Sequence, residues 1–163
     1  SGGDLTPDEK KWLLDLHNCH RKMHGNVPPL KWSDYLASKA SEHAKRCTMH
    51  HSEYALGENI AAPSTNNVGA ADHWVTTEKD KYDYNNPKFD NSTGHFTQVV
   101  WKNTKNVGCA LSTYPTDCPN GVYDDDHFAT RGVLVCEYDP QGNYPGQFTQ
   151  NVLPELPYYI PDE

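Results

Sequence analysis

The sequence predicts an α+β fold on three observations. Well-capped segments with helical apolar spacing crowd the first half of the chain, short β-branched segments appear only in the second half, and Gly, Pro and Asp collect in the connections. Thr6-Pro7-Asp8-Glu9 starts a first helix: Thr6 can cap, Pro7 tolerates the first turn, and Glu9 can close a capping box. That helix runs to about Met23 or His24, where Gly25 and Pro28-Pro29 end it. Ser33 caps a second helix, in which Leu36, Ala40, Ala44 and Cys47 form an apolar stripe facing the core. After a polar loop from Pro63 to Asn67, Asn67 caps a third helix through Ala70, Ala71, Trp74, Val75 and Glu78 to about Lys81, with Trp74 and Glu78 on one face. Asp83 to Thr93 reads as an ordered loop and His95 to Trp101 as a short helix. Val107 to Thr113 and Gly132 to Tyr138 pair as antiparallel strands across a Pro- and Asp-rich connection. There is no internal repeat.

At 163 residues the chain fits one domain, residues 1–163, with a core from about 8 to 151 and an extended Pro-rich tail over 152–163. Such a domain buries roughly two thirds of its unfolded surface. The 14 basic and 22 acidic residues give a net charge of −8, with a local acid run at Asp124-Asp125-Asp126, which argues against nucleic acid as a partner. No apolar stretch approaches the ~20 residues of a membrane helix. Ser1-Gly2-Gly3 has no apolar targeting core, so the chain reads as a mature or trimmed product. Five cysteines without a Cys-x-x-Cys pair suggest structural bridges in an oxidising compartment, hence secretion. Asn91-Ser92-Thr93 is a glycosylation acceptor, in keeping with that compartment.

The run Gly94-His95-Phe96-Thr97-Gln98-Val99-Val100-Trp101 puts an ionisable imidazole at the head of an apolar segment, where it must find a partner. Upstream candidates are His51, Glu58 in Gly57-Glu58-Asn59, and Glu78. Two imidazoles and two carboxylates suit a divalent cation, Zn2+ or less readily Mg2+. The same four side chains can instead hydrogen-bond to one another, with Ser52, Asn59 and Gln98 around them, and anchor helices to the sheet with no cofactor required. His17, His20 and His24 share a helical face without an acid at matching spacing and read as ordinary helix residues. His50 reads as a solvated neighbour of His51, and His43, His73 and His127 have no motif context.

Taken in order, the His51 segment, Gly57-Glu58-Asn59, Trp74 followed by Glu78-Lys79, the His95 run, and Val135-Cys136-Glu137-Tyr138-Asp139-Pro140-Gln141-Gly142-Asn143-Tyr144 resemble the CAP superfamily of cysteine-rich secretory proteins, venom allergens and pathogenesis-related proteins. The resemblance runs from about Leu13 to Asn151. It implies a three-layer α-β-α sandwich with a central antiparallel sheet. It also implies the bridges Cys47–Cys118 and Cys109–Cys136, leaving Cys19 as a free thiol: half-buried on the first helix, a crosslink between chains, or a local peculiarity. Each bridge would contribute ~3–4 kcal/mol in the chain-entropy model. The family distance from Cys47 selects His51 over His50, and the helical His-Asn pair of the family matches His17-Asn18, favouring a packing role for His17. Family members carry the glutamate three residues after the tryptophan, where this chain has Thr77; Glu78 is assigned to the cluster because its spacing to Tyr82 and Tyr84 matches.

Tyr82-x-Tyr84-x-x-x-x-Phe89 resembles the caveolin-binding-like loop of sterol-binding CAP proteins. Rings in a surface loop leave apolar area exposed unless they fold back as a local core or meet a flat apolar ligand. Pro87 and its Asn neighbours suit a loop that moves as a lid. Some members also hold a fatty acyl chain between two helices, a groove that Leu13, Leu16, Trp74 and Val75 could line.

Three functions follow. The first is a secreted lipid-binding protein, not an enzyme, that takes a sterol on the aromatic loop and a fatty acid between helices, as a monomer or weak dimer. The second is an immunomodulatory or defence-related ligand that meets a host or cell-surface protein through its acidic surface and tail. The third is a metal-dependent hydrolase, for which the chain offers no His-Glu-x-x-His helix and no Gly-x-Ser-x-Gly elbow.

Overall fold

Thr6 caps the first helix as the sequence predicts: its side chain accepts from the Glu9 nitrogen at 3.1 Å, and Glu9 Oε1 accepts from the Thr6 nitrogen at 2.9 Å. The computed structural model describes residues 5–63, 65–124, 127–158 and 161; Ser1-Gly2-Gly3, Asp125, Asp126 and Tyr159 lie outside the described residues. Helix α1 spans Pro7–Met23 and buries Leu13, His17 and Arg21, spaced four apart on one face. Strand β1, Lys31–Trp32, leads into α2, Asp34–Ala44, where Ser33 Oγ accepts from the Leu36 nitrogen at 3.1 Å. Strand β2 is Gly57–Ala61, β3 is Asn106–Ser112 and β6 is Val133–Asp139. A separate hairpin pairs β4, Val122–Asp124, with β5, His127–Ala129.

The main sheet has the order β1-β3-β6-β2. Strands β3 and β6 run antiparallel from Asn106↔Asp139 to Ser112↔Val133, and β2 pairs antiparallel with β6 with Glu58 opposite Glu137 and Asn59 opposite Cys136. The sheet is not wholly antiparallel, because β1 joins β3 in parallel at the edge. No hairpin links those two strands, so nothing forces the antiparallel sense.

Alternation along the strands sorts the core into two layers. One face carries Ala110, Val133, Val135 and Ile60 against Ala40 and Ala44 of α2. Gly108 permits the close approach there, since a Cβ would lie 2.2 Å from the Ala37 nitrogen. The opposite face carries Val107, Leu111, Leu134 and Tyr138 against Leu13 of α1, Trp74 and Val75 of α3 (His73–Thr76), and Phe96 and Val99 of α4 (Gly94–Val99). Helices on both faces of a central sheet make the α-β-α sandwich. A last short helix, α5, spans Phe148–Asn151 and stacks Phe148 edge-on to Trp101 at 4.9 Å.

The single third helix expected from Asn67 to Lys81 is broken into a 3-10 turn over Val68–Asp72, α3, and a second 3-10 turn over Lys79–Lys81. At the C-terminal end of α3 the hydroxyls of Thr76 and Thr77 donate back to the carbonyls of Asp72 and His73 at 3.1 and 2.5 Å, which favours a bend there. Cys47 also falls outside α2, at φ +55° in the turn beyond it. Cys47–Cys118 and Cys109–Cys136 are disulfides, and Cys19 is a free thiol that is exposed on α1 rather than half-buried. Among the described residues no helix is long and apolar enough to cross a membrane.

Arg21 ties α1 to the chain beyond α4. Its guanidinium is fully buried and donates to the carbonyls of Pro28, Val99, Trp101 and Thr104 at 2.7 to 3.1 Å, with Lys102 at 3.5 Å. Burial lowers its pKa to about 10, so it remains charged at neutral pH. The substitution Arg21→Met keeps an apolar stem but leaves these carbonyls without a donor. We expect it to cost about 3–5 kcal/mol, read as a fall of roughly 10 °C in the thermal unfolding midpoint.

Candidate functional site

A buried chain of hydrogen bonds frames the site. His17 Nδ1–H donates to the Leu13 carbonyl at 2.7 Å, which leaves Nε2 to accept from the Tyr138 hydroxyl at 2.6 Å. Burial drives the His17 pKa down to about 4 and fixes this neutral form. The Tyr138 oxygen accepts from Asn59 Nδ2 at 3.2 Å, and the same nitrogen donates to the His95 carbonyl at 3.2 Å. Helix α1, strands β6 and β2 and the start of α4 are thereby held by one polar thread.

The four expected cluster residues form two pairs. In the first, His95 Nδ1–H donates to Glu78 Oε2 at 2.7 Å, while Glu78 Oε1 accepts from the Phe96 nitrogen at 3.0 Å at the start of α4. Trp74 stacks on the His95 ring, 5.9 Å between centroids and 12° between planes. Glu78 sits between the end of α3 and the 3-10 turn over Lys79–Lys81. In the second pair, His51 Nδ1–H and the Ser52 nitrogen both donate to Glu58 Oε1 at 2.8 Å. Glu58 is almost enclosed, its side chain 5% exposed, whereas His51 is 67% exposed. The segment carrying His51 is pinned by His43, a residue without motif context, whose Nε2–H donates to the His50 carbonyl at 2.7 Å and whose Nδ1 accepts from Arg46.

Glu137, which sequence reasoning missed, completes the second pair. It is fully buried opposite Glu58, and both of its oxygens, with Glu58 Oε2, lack an N–H or O–H donor. A proton retained on Glu137 resolves the conflict by making it the donor to Glu58. Burial and the Glu58 carboxylate push Glu137 above the ordinary carboxyl range. Burial pushes Glu58 up as well, but hydrogen bonds from His51, Glu137 and Ser52 more than offset it and hold Glu58 low. The hydrogen bond to Glu58 raises the His51 pKa against the opposing effect of burial. A charged residue inside the apolar run Val133–Tyr138 was the available sequence signal.

Zn2+ or Mg2+ would require these donors to converge. Glu58 and Asn59 are consecutive on β2 and point to opposite faces, Glu58 toward Glu137 and Asn59 toward Tyr138 and the His95 carbonyl. Each carboxylate is spent on its own imidazole. Among the described residues no three His, Cys, Asp or Glu side chains form a group that could hold a metal ion; the Nδ1–H of His51 and of His95 is each spent on a carboxylate, which leaves both Nε2 atoms uncommitted. Of the expected surrounding residues, Ser52 and Asn59 touch the pairs, while Gln98 instead donates to Thr104 and accepts from the Gly142 nitrogen. The α1 histidines diverge: His20 lies 3.8 Å from Asp72 and His24 donates to the His20 carbonyl.

The aromatic loop follows Glu78 directly. Tyr82 is 7% exposed and packs on Tyr84, 4.7 Å away edge-on, and on Phe96 at 6.0 Å. Its hydroxyl is buried without a hydrogen-bond partner. Tyr84 and Phe89 are 37% and 49% exposed, with Phe89 lying over Gly94. Within the loop is an open, largely polar cleft of about 280 Å3, lined by Tyr82, Asn86, Ser92 and Thr93 and by the charged Lys81, Asp83, Lys88 and Asp90. Asn91 is exposed at its turn. Leu13, Trp74 and Val75, by contrast, are buried in one core with Leu16 packed against it, and the expected acyl groove between them is filled by their own contacts.

The sign of the Glu137 effect is testable. Unfolded, Glu137 ionises near its ordinary value of 4.5; folded, it keeps its proton to higher pH, so unfolding releases a proton in between and stability falls as pH rises. Glu137→Gln supplies an N–H donor to Glu58 at every pH. Its thermal midpoint should match wild type near pH 4 and gain on it from pH 5 to 8, by at most about 1.4 kcal/mol, or about 3 °C, per pH unit.

Comparison with known proteins places this geometry in a family. Residues 14–138 match the profile of CAP, the cysteine-rich secretory protein family. Protein PRY2 of Saccharomyces cerevisiae is 38% identical over 146 residues, covering 87% of this chain and 40% of the yeast protein. The basic form of pathogenesis-related protein 1 of Nicotiana tabacum is 38% identical over 152 residues, covering 89% of this chain and 77% of the tobacco protein. The chain thus spans less than half the length of its yeast relative. Among solved structures, BmVAL-1 superposes with a TM-score of 0.70 at 25% identity, covering 94% of this chain and 86% of that one. NaASP2 crystallised with Zn2+ superposes at 0.72 and 21% identity, covering 93% and 87%. With its sandwich, two disulfides and paired His–Glu side chains, the chain belongs to the CAP family of cysteine-rich secretory proteins.

Proposed function

We propose that this chain is a secreted lipid-binding domain that takes a sterol beneath the loop carrying Tyr82, Tyr84 and Phe89. The observation that carries this is the Tyr82 hydroxyl, buried and unpartnered beneath two exposed rings. An orphaned hydroxyl costs about 1–3 kcal/mol, which the single hydroxyl of a sterol offsets by pairing with it. Tyr84 and Phe89, exposed on the same loop outside the lining of the cavity, supply further ring area against which a sterol can pack. The cavity of about 280 Å3 is at the lower edge of the ~300–1,000 Å3 typical of small-molecule sites, so a sterol enters only when the loop lifts. Disulfides and the secretory character of the family support an extracellular setting.

Sterol binding of this kind requires no covalent step and no cation. The Glu78–His95 pair serves it by fixing the start of α4 under Tyr82, through Phe96. Labelled cholesterol should bind the full chain saturably, and Tyr82→Ala with Phe89→Ala should weaken binding at least ~10-fold, the loss of two ring contacts. Adding a chelator should leave the affinity unchanged. Equal binding by the double variant would remove the loop from the function, and chelator-sensitive binding would restore a metal to it.

A further inference from the structure

The C-terminal strap over residues 153–156 touches the aromatic loop, α1 and the turn beside Glu78 at once. Tyr84 donates its hydroxyl to the Leu153 carbonyl at 3.3 Å, and Lys79, next to Glu78, pairs with Glu155 at 3.2 Å. On the other side the Leu156 nitrogen donates to the Met23 carbonyl at 2.7 Å, and Glu155 forms an antiparallel bridge with His24. Gly25, at φ +83°, is bare where Leu153 crosses it; a Cβ there would lie 2.5 Å from Leu153 Cδ1. We propose that this strap is a latch on the sterol loop, so that residues 82–93 lift to admit ligand when the strap leaves α1. The proposal rests on the loop being the ligand site.

Two features make the strap the movable partner. A groove of about 880 Å3 opens beside it, lined by Leu156 and Pro157 and by Asn18, Cys19 and Met23 of α1, so the strap is held to α1 along one side and borders open space. Its polar ties to the loop are exposed and individually weak. Tyr84 is kept as a hydroxyl donor through the neutral range, because burial, with smaller contributions from Tyr82 and Glu155, pushes its pKa up to about 12. Opening the loop must break the Tyr84–Leu153 bond, or carry Leu153 along with it.

Two conservative variants test this on the full chain. Tyr84→Phe keeps the ring and removes the donor to Leu153. Leu156→Pro removes the amide that bonds Met23 and leaves the loop untouched. With no ligand present, hydrogen exchange of the amides of residues 83–93 should accelerate about 3–10-fold in both variants, and labelled cholesterol should associate faster by a similar factor. In wild type, cholesterol should deprotect the Leu156 amide. Unchanged loop exchange in both variants, or a Leu156 amide that stays protected when cholesterol is bound, overturns the latch. Faster loop exchange in a protein that binds no cholesterol supports the mechanical coupling and overturns the sterol assignment alone.

Discussion

The hydrogen bonds from His17 through Tyr138 to Asn59 and the His95 carbonyl are the constraint on which the rest of the site depends. They join elements that are distant in sequence, and every member is buried or contributes a buried atom, so a lost partner leaves an unpaired group in low dielectric. Asn59 has two amide hydrogens and spends one on each neighbour. Strand β2 is thus fixed in position relative to α4, and because β2 alternates, its next residue, Glu58, is committed to the opposite face. Arg21 reinforces the arrangement by gathering the carbonyls that follow α4.

With that frame in place, the paired histidines act as fasteners between elements. Glu78 satisfies the α4 nitrogen of Phe96 and orients His95 under Trp74. Glu58 satisfies Ser52 and His51 while sharing a proton with Glu137. Two carboxyl groups facing each other in a dry interior favour a single charge between them. Outside the pairs, the buried side-chain atoms without a hydrogen-bond partner among the described residues are His20 Nδ1, Trp32 Nε1, Trp74 Nε1, Arg131 Nε and the Tyr82 hydroxyl in the aromatic loop. The aromatic loop thus combines an unmet hydroxyl, two exposed rings and a polar tie to Leu153.

Local chemistry made much of this legible in the sequence. Thr6, Pro7 and Glu9 dictate the start of α1, Ser33 that of α2, and the β-branched runs around Cys109 and Cys136 the central strand pair, because caps and alternation act within a few residues. Apolar spacing does not register the threonine hydroxyls that bond back to the carbonyls of Asp72 and His73, where the expected third helix gives way to a 3-10 turn. Strands β1 and β2 carry too few alternating residues to be seen. The residue types of the candidate site were also legible, but their partition was not: which face Glu58 takes depends on β2 register against β6, a contact between residues 79 positions apart. Glu137 escaped notice because a lone acid in a strand has no meaning until its cross-strand neighbour is known.

Hydrogen exchange with and without cholesterol, resolved along the whole chain, tests the central claim most directly. The account predicts slowed exchange over residues 82–93, with the amides around His51 and Glu58 unchanged, since those residues support the fold and do not meet the ligand. Protection that appears around His51 and Glu58 while the aromatic loop stays as it was would contradict it.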